Sequence, residues 1–244
     1  MDMKGHTIAL IGGFESGKTS FIKSVRAAVN GSPSGIPPAE EKPTLGIDEY
    51  NVPLPNGQSL TFLDTPGFDG YQAGDGHAKE TEEILQMLEE HLAAKGTGLV
   101  SHVLFFMNAN DMVPTEFKGR ARRTFERLFA NSKLACISTR WDQIENDDGL
   151  PVTAEEAKVK EESIYDMGRT SGSFLEYLFG GQVNNGDEVL RFRSGLPIEA
   201  YSSPQDIIHK LLPRSVSRGK NCRGVCSPIS SRHRRSLWRK GYRS

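Results

Sequence analysis

The stretch Ile8–Val25, IALIGGFESGKTSFIKSV, joins an apolar run to a helical pattern through a glycine-rich turn. The apolar run Thr7–Ile11 is short and ends at two glycines, which predicts a buried strand. Apolar residues recur at helical spacing across Lys18–Val29, which predicts a helix directly after the turn. A strand, a tight turn and a helix in this order are the first unit of an α/β domain.

The rest of the chain repeats this alternation. Further strands are predicted at Ile47–Leu54, Ser59–Leu63, Val100–Met107, Leu134–Ser138 and Glu188–Phe192. Further helices are predicted at Lys79–Ala94, Thr115–Ala130, Thr153–Met167, Ser173–Leu178 and Pro204–Leu212. The pair Asn56-Gly57 between the second and third strands predicts a hairpin. We therefore expect a three-layer α/β/α domain whose mainly parallel sheet has one antiparallel edge strand.

Charge is divided unevenly along the chain. The 244 residues include 30 Lys and Arg and 31 Asp and Glu. Residues 207–244 hold 11 of the basic residues and no acidic residue, so residues 1–206 carry a net charge of −12. We expect an acidic folded domain over residues 5–212 and a basic, disordered tail over residues 213–244.

Composition excludes several classes of protein. Three cysteines are too few for a disulfide scaffold, and Cys136 lies in a predicted buried strand. The longest apolar run, Val100–Met107, is far shorter than the roughly 20 residues of a membrane helix. The sequence shows no signal-peptide pattern, so a cytoplasmic location is the expectation.

The glycine-rich turn fits the phosphate-loop pattern G-x-x-x-x-G-K-S/T. Glycines let the backbone wrap around phosphate oxygens, and the following helix directs its positive end at the anion. Lys18 is expected to contact the β- and γ-phosphates, and the Thr19 hydroxyl to ligate Mg²⁺. The alternative is a glycine turn followed by a surface lysine. The predicted phosphate-binding residues are Gly12, Gly13, Phe14, Glu15, Ser16, Gly17, Lys18, Thr19 and Ser20.

Two further segments complete a candidate metal site. Asp64 follows a predicted strand in LTFLDTPGF, where a carboxylate beside a phosphate loop can hold Mg²⁺ through water. The N–H of Gly67 is expected to contact a γ-phosphate, and Thr44 in the first long loop is expected to ligate Mg²⁺ and sense that phosphate. The predicted metal ligands are thus Thr19, Thr44 and Asp64, and the predicted catalytic residues are Lys18, Thr44 and Gly67.

The segment CISTRWDQI indicates which base is bound. Asp142 follows a predicted strand, and its carboxylate can accept hydrogen bonds from N1 and N2 of guanine, a donor pair that adenine lacks. Thr139 and Arg140 precede it, and Arg140 is expected to stack on the base. The alternative is that Asp142 caps the next helix.

Taken together, GGFESGKTS, Thr44, DTPGF and TRWD resemble the four leading motifs of a P-loop GTPase domain. The form DTPGF with a threonine in the fourth motif is similar to the septin and immunity-associated nucleotide-binding branch, and to stand-alone fungal G-domain proteins. The resemblance covers about residues 5–212. It implies a P-loop NTPase fold that binds GTP or GDP with Mg²⁺, and loops at Ser32–Gly46 and Thr65–His77 that change order with the nucleotide.

The resemblance also implies a fifth motif, in which a backbone N–H after the last strand contacts guanine. The first candidate is Arg193-Ser194-Gly195, with Ser194 as the predicted binding residue. The second candidate is Ser202-Ser203, although the pattern SSPQDII is more typical of the N-cap and first turn of a helix.

Hydrolysis of GTP is less directly indicated than binding. Phe68 follows Gly67, at the position where Ras-like enzymes have a glutamine that orients water. We expect slow hydrolysis that a homodimer across the nucleotide face or a partner accelerates. Candidates for catalytic help are Thr44, His77 and the arginines of KGRARR, Arg120, Arg122 and Arg123. For these arginines, a solvated basic helix face is the favoured interpretation. The alternatives are a GTP-binding scaffold that barely hydrolyses and, against Asp142, a P-loop ATPase or kinase.

The basic tail suggests a second contact. Ser231–Arg243, SRHRRSLWRKGYR, combines arginines and lysine with a tryptophan, a composition that suits an anionic membrane surface or nucleic acid. The alternative is a solvated basic appendage.

Overall fold

The computed structural model describes residues 5–31, 43–54, 57–68, 79–96, 99–110, 117–168, 172–180, 189–195 and 201–212. These residues belong to one compact unit, Met1–Leu212. Asn56, His77, most of the predicted loop between the first helix and the second strand, and the basic tail lie outside the described residues.

A six-stranded sheet forms the centre of this unit, with the strand order β2-β3-β1-β4-β5-β6. Neighbouring strands are parallel except for β2, which pairs antiparallel with β3 at one edge. This arrangement confirms the predicted fold class, including the antiparallel edge strand. The strands are β1 His6–Gly12, β2 Asp48–Pro53, β3 Ser59–Asp64, β4 His102–Asn108, β5 Lys133–Thr139 and β6 Leu190–Arg193.

Helices cover both faces of the sheet and supply the outer layers of the fold. Within the described part of the chain, none of them is both long and apolar enough to cross a bilayer. The helices are α1 Lys18–Val29, α2 Thr81–Lys95, α3 Gly119–Leu128, α4 Ala154–Gly168, α5 Phe174–Phe179 and α6 Pro204–Leu211, with a 3₁₀ turn at Trp141–Gln143.

Each face of the sheet has its own apolar core, because side chains alternate between the two faces along every strand. On one face, Phe105 of β4 stacks on Phe174 of α5, with ring centroids 4.4 Å apart. Cys136 of β5 lies fully buried in the same cluster, as predicted, and burial raises the pKa of its thiol to about 12. On the other face, Phe21 of α1 meets Phe106 of β4 edge-on at 5.2 Å.

The start of α3 differs from the prediction. The predicted helix was Thr115–Ala130, but α3 begins at Gly119, because Lys118 is extended and Gly119 has a φ of +57°. Phe117 lies before the helix, where its ring packs against Phe125 and its N–H donates to the carbonyl of Gly172. The apolar residue that suggested a longer helix thus fills the core from an extended segment.

Candidate nucleotide-binding site

The predicted phosphate loop joins the carboxyl end of β1 to the start of α1, the edge at which parallel α/β sheets bind ligands. Gly12 has a φ of +146°, and a Cβ on it would collide with the carbonyl oxygen of Phe106 on β4. Gly17 has a φ of +85° and begins the helix. Two of the motif's glycines are therefore required by the backbone itself.

Lys18 is the buried charge of this loop, with 6% of its surface exposed. Its ammonium donates to the carbonyl oxygens of Gly12 and Gly13, at 3.1 and 2.9 Å, and lies 3.4 Å from the Ser16 hydroxyl. Burial lowers the pKa of Lys18 to about 8, against the opposing charge of Asp64. This environment, which holds a cation beside helix N–H groups, favours an anionic ligand. It also excludes the alternative of a surface lysine.

The three predicted metal ligands lie together. The Thr19 hydroxyl donates to Asp64 Oδ2 at 2.6 Å, and the Thr44 hydroxyl lies 3.3 Å from Thr19 Oγ1 and 3.5 Å from Asp64 Oδ2. Asp64 Oδ1 is buried and has no hydrogen-bond partner among the described residues. Burial raises the pKa of Asp64, opposed by the hydrogen bond from Thr19 and the charge of Lys18.

This set of oxygens fits Mg²⁺. Hydroxyl and carboxylate oxygens are hard ligands, and Mg²⁺ keeps several waters while taking one or two carboxylates and phosphate oxygens. A divalent cation would also satisfy the buried oxygen Oδ1 of Asp64 and favour its charged form. No group of three or more His, Cys, Asp or Glu side chains able to hold a metal occurs in the described ranges.

The DTPGF segment is attached directly to the phosphate loop. Phe68 donates its N–H to the carbonyl of Gly12 at 3.0 Å and accepts from the N–H of Phe14 at 3.2 Å. Gly67 packs on the backbone of Phe14 so closely that a Cβ would collide with it. Thr65, which the sequence reading did not single out, donates its buried hydroxyl to the carbonyl of Leu10 at 2.7 Å.

The side chain of Phe68 points into the apolar core and is 2% exposed. Its ring therefore belongs to the core that lies beneath the phosphate loop. The sequence had placed Phe68 at the water-positioning site but gave no sign of the direction of its ring.

The TRWD segment reaches back to the phosphate loop. The buried hydroxyl of Thr139 donates to the carbonyl of Ser16 at 2.8 Å. The Arg140 guanidinium donates through Nε to the carbonyl of Glu15 at 3.2 Å, and its backbone has a φ of +62°. Asp142 lies exposed within the 3₁₀ turn that follows. Two hydrogen bonds thus join the TRWD segment to the phosphate loop.

The two candidates for the fifth motif occupy different environments. An ideal Cβ on Gly195 would lie 3.9 Å from Asp142 Oδ1, so Arg193–Gly195 is beside the predicted base-binding aspartate. The buried Ser194 donates its N–H to the carbonyl of Ser138 at 2.9 Å. Ser203 instead caps α6 in a capping box with Asp206, as the sequence suggested.

The remaining candidate residues are exposed or paired on the surface. Ser20 directly follows Thr19 on the first turn of α1, with its side chain exposed. Arg120 pairs with Glu82 at 3.1 Å, and Arg122 pairs with Glu126 at 3.0 Å, so both arginines have acidic partners on the surface.

Comparisons with known proteins give partial similarity. No family model matches the chain. Translation initiation factor IF-2 from Prosthecochloris aestuarii is 31% identical over 87 residues, and IF-2 from Parabacteroides distasonis is 38% identical over 68 residues. These matches cover 35% and 27% of this chain but only 8% and 6% of the relatives, so the chain spans a small part of their length.

Solved structures resemble the chain over more of its length. Era in complex with MgGDPNP and nucleotides of 16S ribosomal RNA has a TM-score of 0.45 at 15% identity, with 86% of this chain and 56% of that chain covered. Elongation factor SelB from Methanococcus maripaludis, in complex with the GTP analogue GPPNHP, has a TM-score of 0.41 at 14% identity, with 79% and 30% covered.

The close contact of Gly67 with Phe14 can be tested by adding one methyl group. Gly67→Ala is expected to lower the free energy of unfolding by about 1–3 kcal/mol, because the new Cβ displaces the phosphate-loop backbone. Gly13→Ala is the matched control, since a Cβ on Gly13 meets no atom within 4 Å. Chemical denaturation of both variants measures the difference, and equal stability would show that the contact is not tight.

Proposed function

We propose that residues 5–212 form a GTP- and GDP-binding domain of the P-loop GTPase kind that acts as a Mg²⁺-dependent nucleotide switch in the cytoplasm. The observation that carries this proposal is the physical connection between the phosphate loop and Asp142. Thr139 and Arg140 hold the carbonyls of Ser16 and Glu15, so a single ligand with an anionic end and a base can contact both motifs.

The phosphate end of the ligand would meet a buried cation. Lys18 has lost most of its hydration, and its partners among the described residues are neutral oxygens and, at longer range, Asp64. A phosphate oxygen would give it a full opposite charge, and the N–H groups at the start of α1 would add hydrogen bonds. In this proposal, residues Gly12 to Ser20 and Gly67 surround the phosphates.

Mg²⁺ would be held by Thr19, Thr44 and Asp64, and it would supply positive charge that neutralises the phosphates. Thr44 comes from the segment before β2, whereas Asp64 ends β3, so the ion would tie two loops to the nucleotide. That is the basis for proposing a switch: loss of the γ-phosphate would release Thr44 and Gly67.

At the other end, Asp142 would accept hydrogen bonds from guanine, with Arg140 stacked on the base. The N–H of Gly195 would complete the contact, because the predicted donor, the N–H of Ser194, is already bonded to the carbonyl of Ser138. Asp142 is exposed in its 3₁₀ turn and is not the N-cap, a position that Arg140 occupies, so its carboxylate is accessible. The DTPGF form and Thr139 favour the septin and immunity-associated branch within this class.

Hydrolysis is proposed to be slow in the isolated chain, because Phe68, with its apolar ring buried, stands where a water-orienting glutamine would be expected. We propose that a homodimer across the nucleotide face supplies the missing group. The same burial favours the second candidate function, a GTP-binding scaffold with little hydrolysis.

The basic tail, residues 213–244, is proposed to contact anionic membrane or nucleic acid by charge. Binding to anionic vesicles by the full chain, compared with a chain ending at Leu212, measures that contact. Equal binding by both chains would rule it out.

The anion site can be tested with Lys18→Ala. We expect the wild-type chain to bind GDP and not ADP, and the variant to lose at least about a hundredfold in GDP affinity, because a buried charge-assisted contact is removed. Lys158→Ala, an exposed lysine of α4, is the control. Fluorescence titration with labelled GDP and competition by ADP measure both effects. Unchanged GDP affinity in Lys18→Ala, or equal affinity for ADP, would contradict the proposal.

Base recognition can be tested with Asp142→Asn. The variant should bind GDP about tenfold or more weakly and should gain affinity for XDP, because an amide can donate to the oxygen that xanthine carries in place of the 2-amino group. Asp147→Asn, an exposed aspartate nearby, serves as the matched change. A GDP-to-XDP preference that both variants share with the wild type would remove Asp142 from the base site.

The proposed dimer can be tested through kinetics. The GTP turnover rate per chain is expected to rise with protein concentration, since the missing catalytic group comes from a second copy. A phosphate-release assay over a hundredfold range of concentration measures it. A steady rate that is independent of concentration would exclude the dimer, and no turnover in a single-turnover assay would favour the scaffold.

A further inference from the structure

Behind the proposed base site lies a buried polar network, and the residue at its centre belongs to none of the motifs. Glu161, on α4, is 9% exposed, an unusual position for a carboxylate in a folded protein. Its Oε1 accepts from the Ser138 hydroxyl at 2.7 Å, and its Oε2 lies 3.3 Å from Nε of Arg193. We propose that Glu161 is a positioning residue that sets the guanine specificity of the site by holding its two base-binding segments in register.

The first segment is held through Ser138. This residue is fully buried at the end of β5, directly before Thr139, and its hydroxyl accepts the indole N–H of Trp141 at 3.1 Å. Trp141 is itself fully buried and precedes Asp142 in the 3₁₀ turn. One hydroxyl therefore links the Glu161 carboxylate to the residue beside the base-binding aspartate.

The second segment is held through Arg193, the last residue of β6. Its guanidinium pairs with Glu161 and also donates to the carbonyl of Ala154 at 3.3 Å. Ser194 and Gly195 follow, and Gly195 lies beside the Asp142 carboxylate. The backbone N–H proposed to contact guanine thus comes shortly after Arg193, whose side chain Glu161 holds in place.

A carboxylate that bonds to both segments at once couples their positions. Each oxygen of Glu161 serves one segment, so a shift of either segment breaks a hydrogen bond to a buried charged group. Burial raises the pKa of Glu161, whereas the Ser138 hydrogen bond and the charge of Arg193 oppose the shift. A carboxylate with this desolvation cost is expected where geometry, rather than stability alone, is being specified.

The test compares GDP with IDP, because inosine lacks only the 2-amino group that Asp142 is proposed to bind. This inference rests on the proposed function. The wild-type measurement tests the guanine site itself, and the variants then test the role of Glu161. A wild-type chain that binds neither nucleotide, or that binds both equally, would overturn the guanine site and this inference with it. We expect GDP to bind about tenfold or more tightly than IDP.

In Glu161→Gln, the amide oxygen can still accept from Ser138, but the pair with Arg193 is lost. The preference for GDP over IDP should fall by about fivefold to tenfold, while IDP affinity changes less than about twofold. Glu162→Gln, the exposed neighbour on α4, should keep the wild-type preference. If Glu161→Gln weakens GDP and IDP equally, or leaves their ratio unchanged, Glu161 has no part in specificity.

Ser138→Ala provides a second, smaller change that also removes the acceptor of Trp141 and the donor to Glu161. It should reduce the same ratio, and thermal unfolding of each variant shows whether it is folded. If Glu161→Gln does not fold, Ser138→Ala decides: a ratio equal to that of the wild type overturns the proposal, and a reduced ratio with unchanged IDP affinity supports it.

Discussion

The ammonium of Lys18 is held almost out of water by two carbonyl oxygens of its own loop, and the neighbouring structure is arranged around it. A buried cation is costly unless it is paired, and the lowered pKa of Lys18 expresses that cost. Asp64 supplies a negative charge at longer range, and its own pKa is raised by the same burial. The site therefore holds two incompletely compensated charges, for which an anion and a divalent cation are the complementary pair.

Close backbone packing is what allows this arrangement. Gly12 lies against the β4 backbone, and Gly67 lies against Phe14, so neither position has room for a side chain. The backbone hydrogen bonds of Phe68 join the DTPGF segment to the loop as a short bridge. Any change in the phosphate loop on binding would therefore pass directly to the segment that begins at Asp64.

Much of the fold and part of the candidate site could be predicted from the sequence, because the residue patterns that indicate them are local. The hairpin and the alternation of strands and helices depend on residue types at short spacing, and the sheet confirms both. The phosphate loop is predicted by a pattern that is just as local. The parallel sheet then brings Thr19, Asp64 and Asp142 to one edge, because each lies at or soon after the carboxyl end of a strand.

What could not be predicted depends on contacts between residues distant in sequence. Glu161 resembles any other acidic residue of a helix until β5 and β6 are placed beside it. Phe117 fits a helical pattern equally well inside or just before the helix, and only the aromatic cluster decides. The α4 helix is acidic on average, so nothing in its composition distinguishes the one buried carboxylate.

The burial of Phe68 also limits how such a domain can change over evolutionary time. A single exchange of Phe68 for glutamine would place a polar amide where the ring now packs in the apolar core. It would leave an unpaired amide there at a cost of about 1–3 kcal/mol. A polar residue at position 68 would therefore need compensating changes elsewhere in the core, whereas changes on the exposed surface of the domain would not.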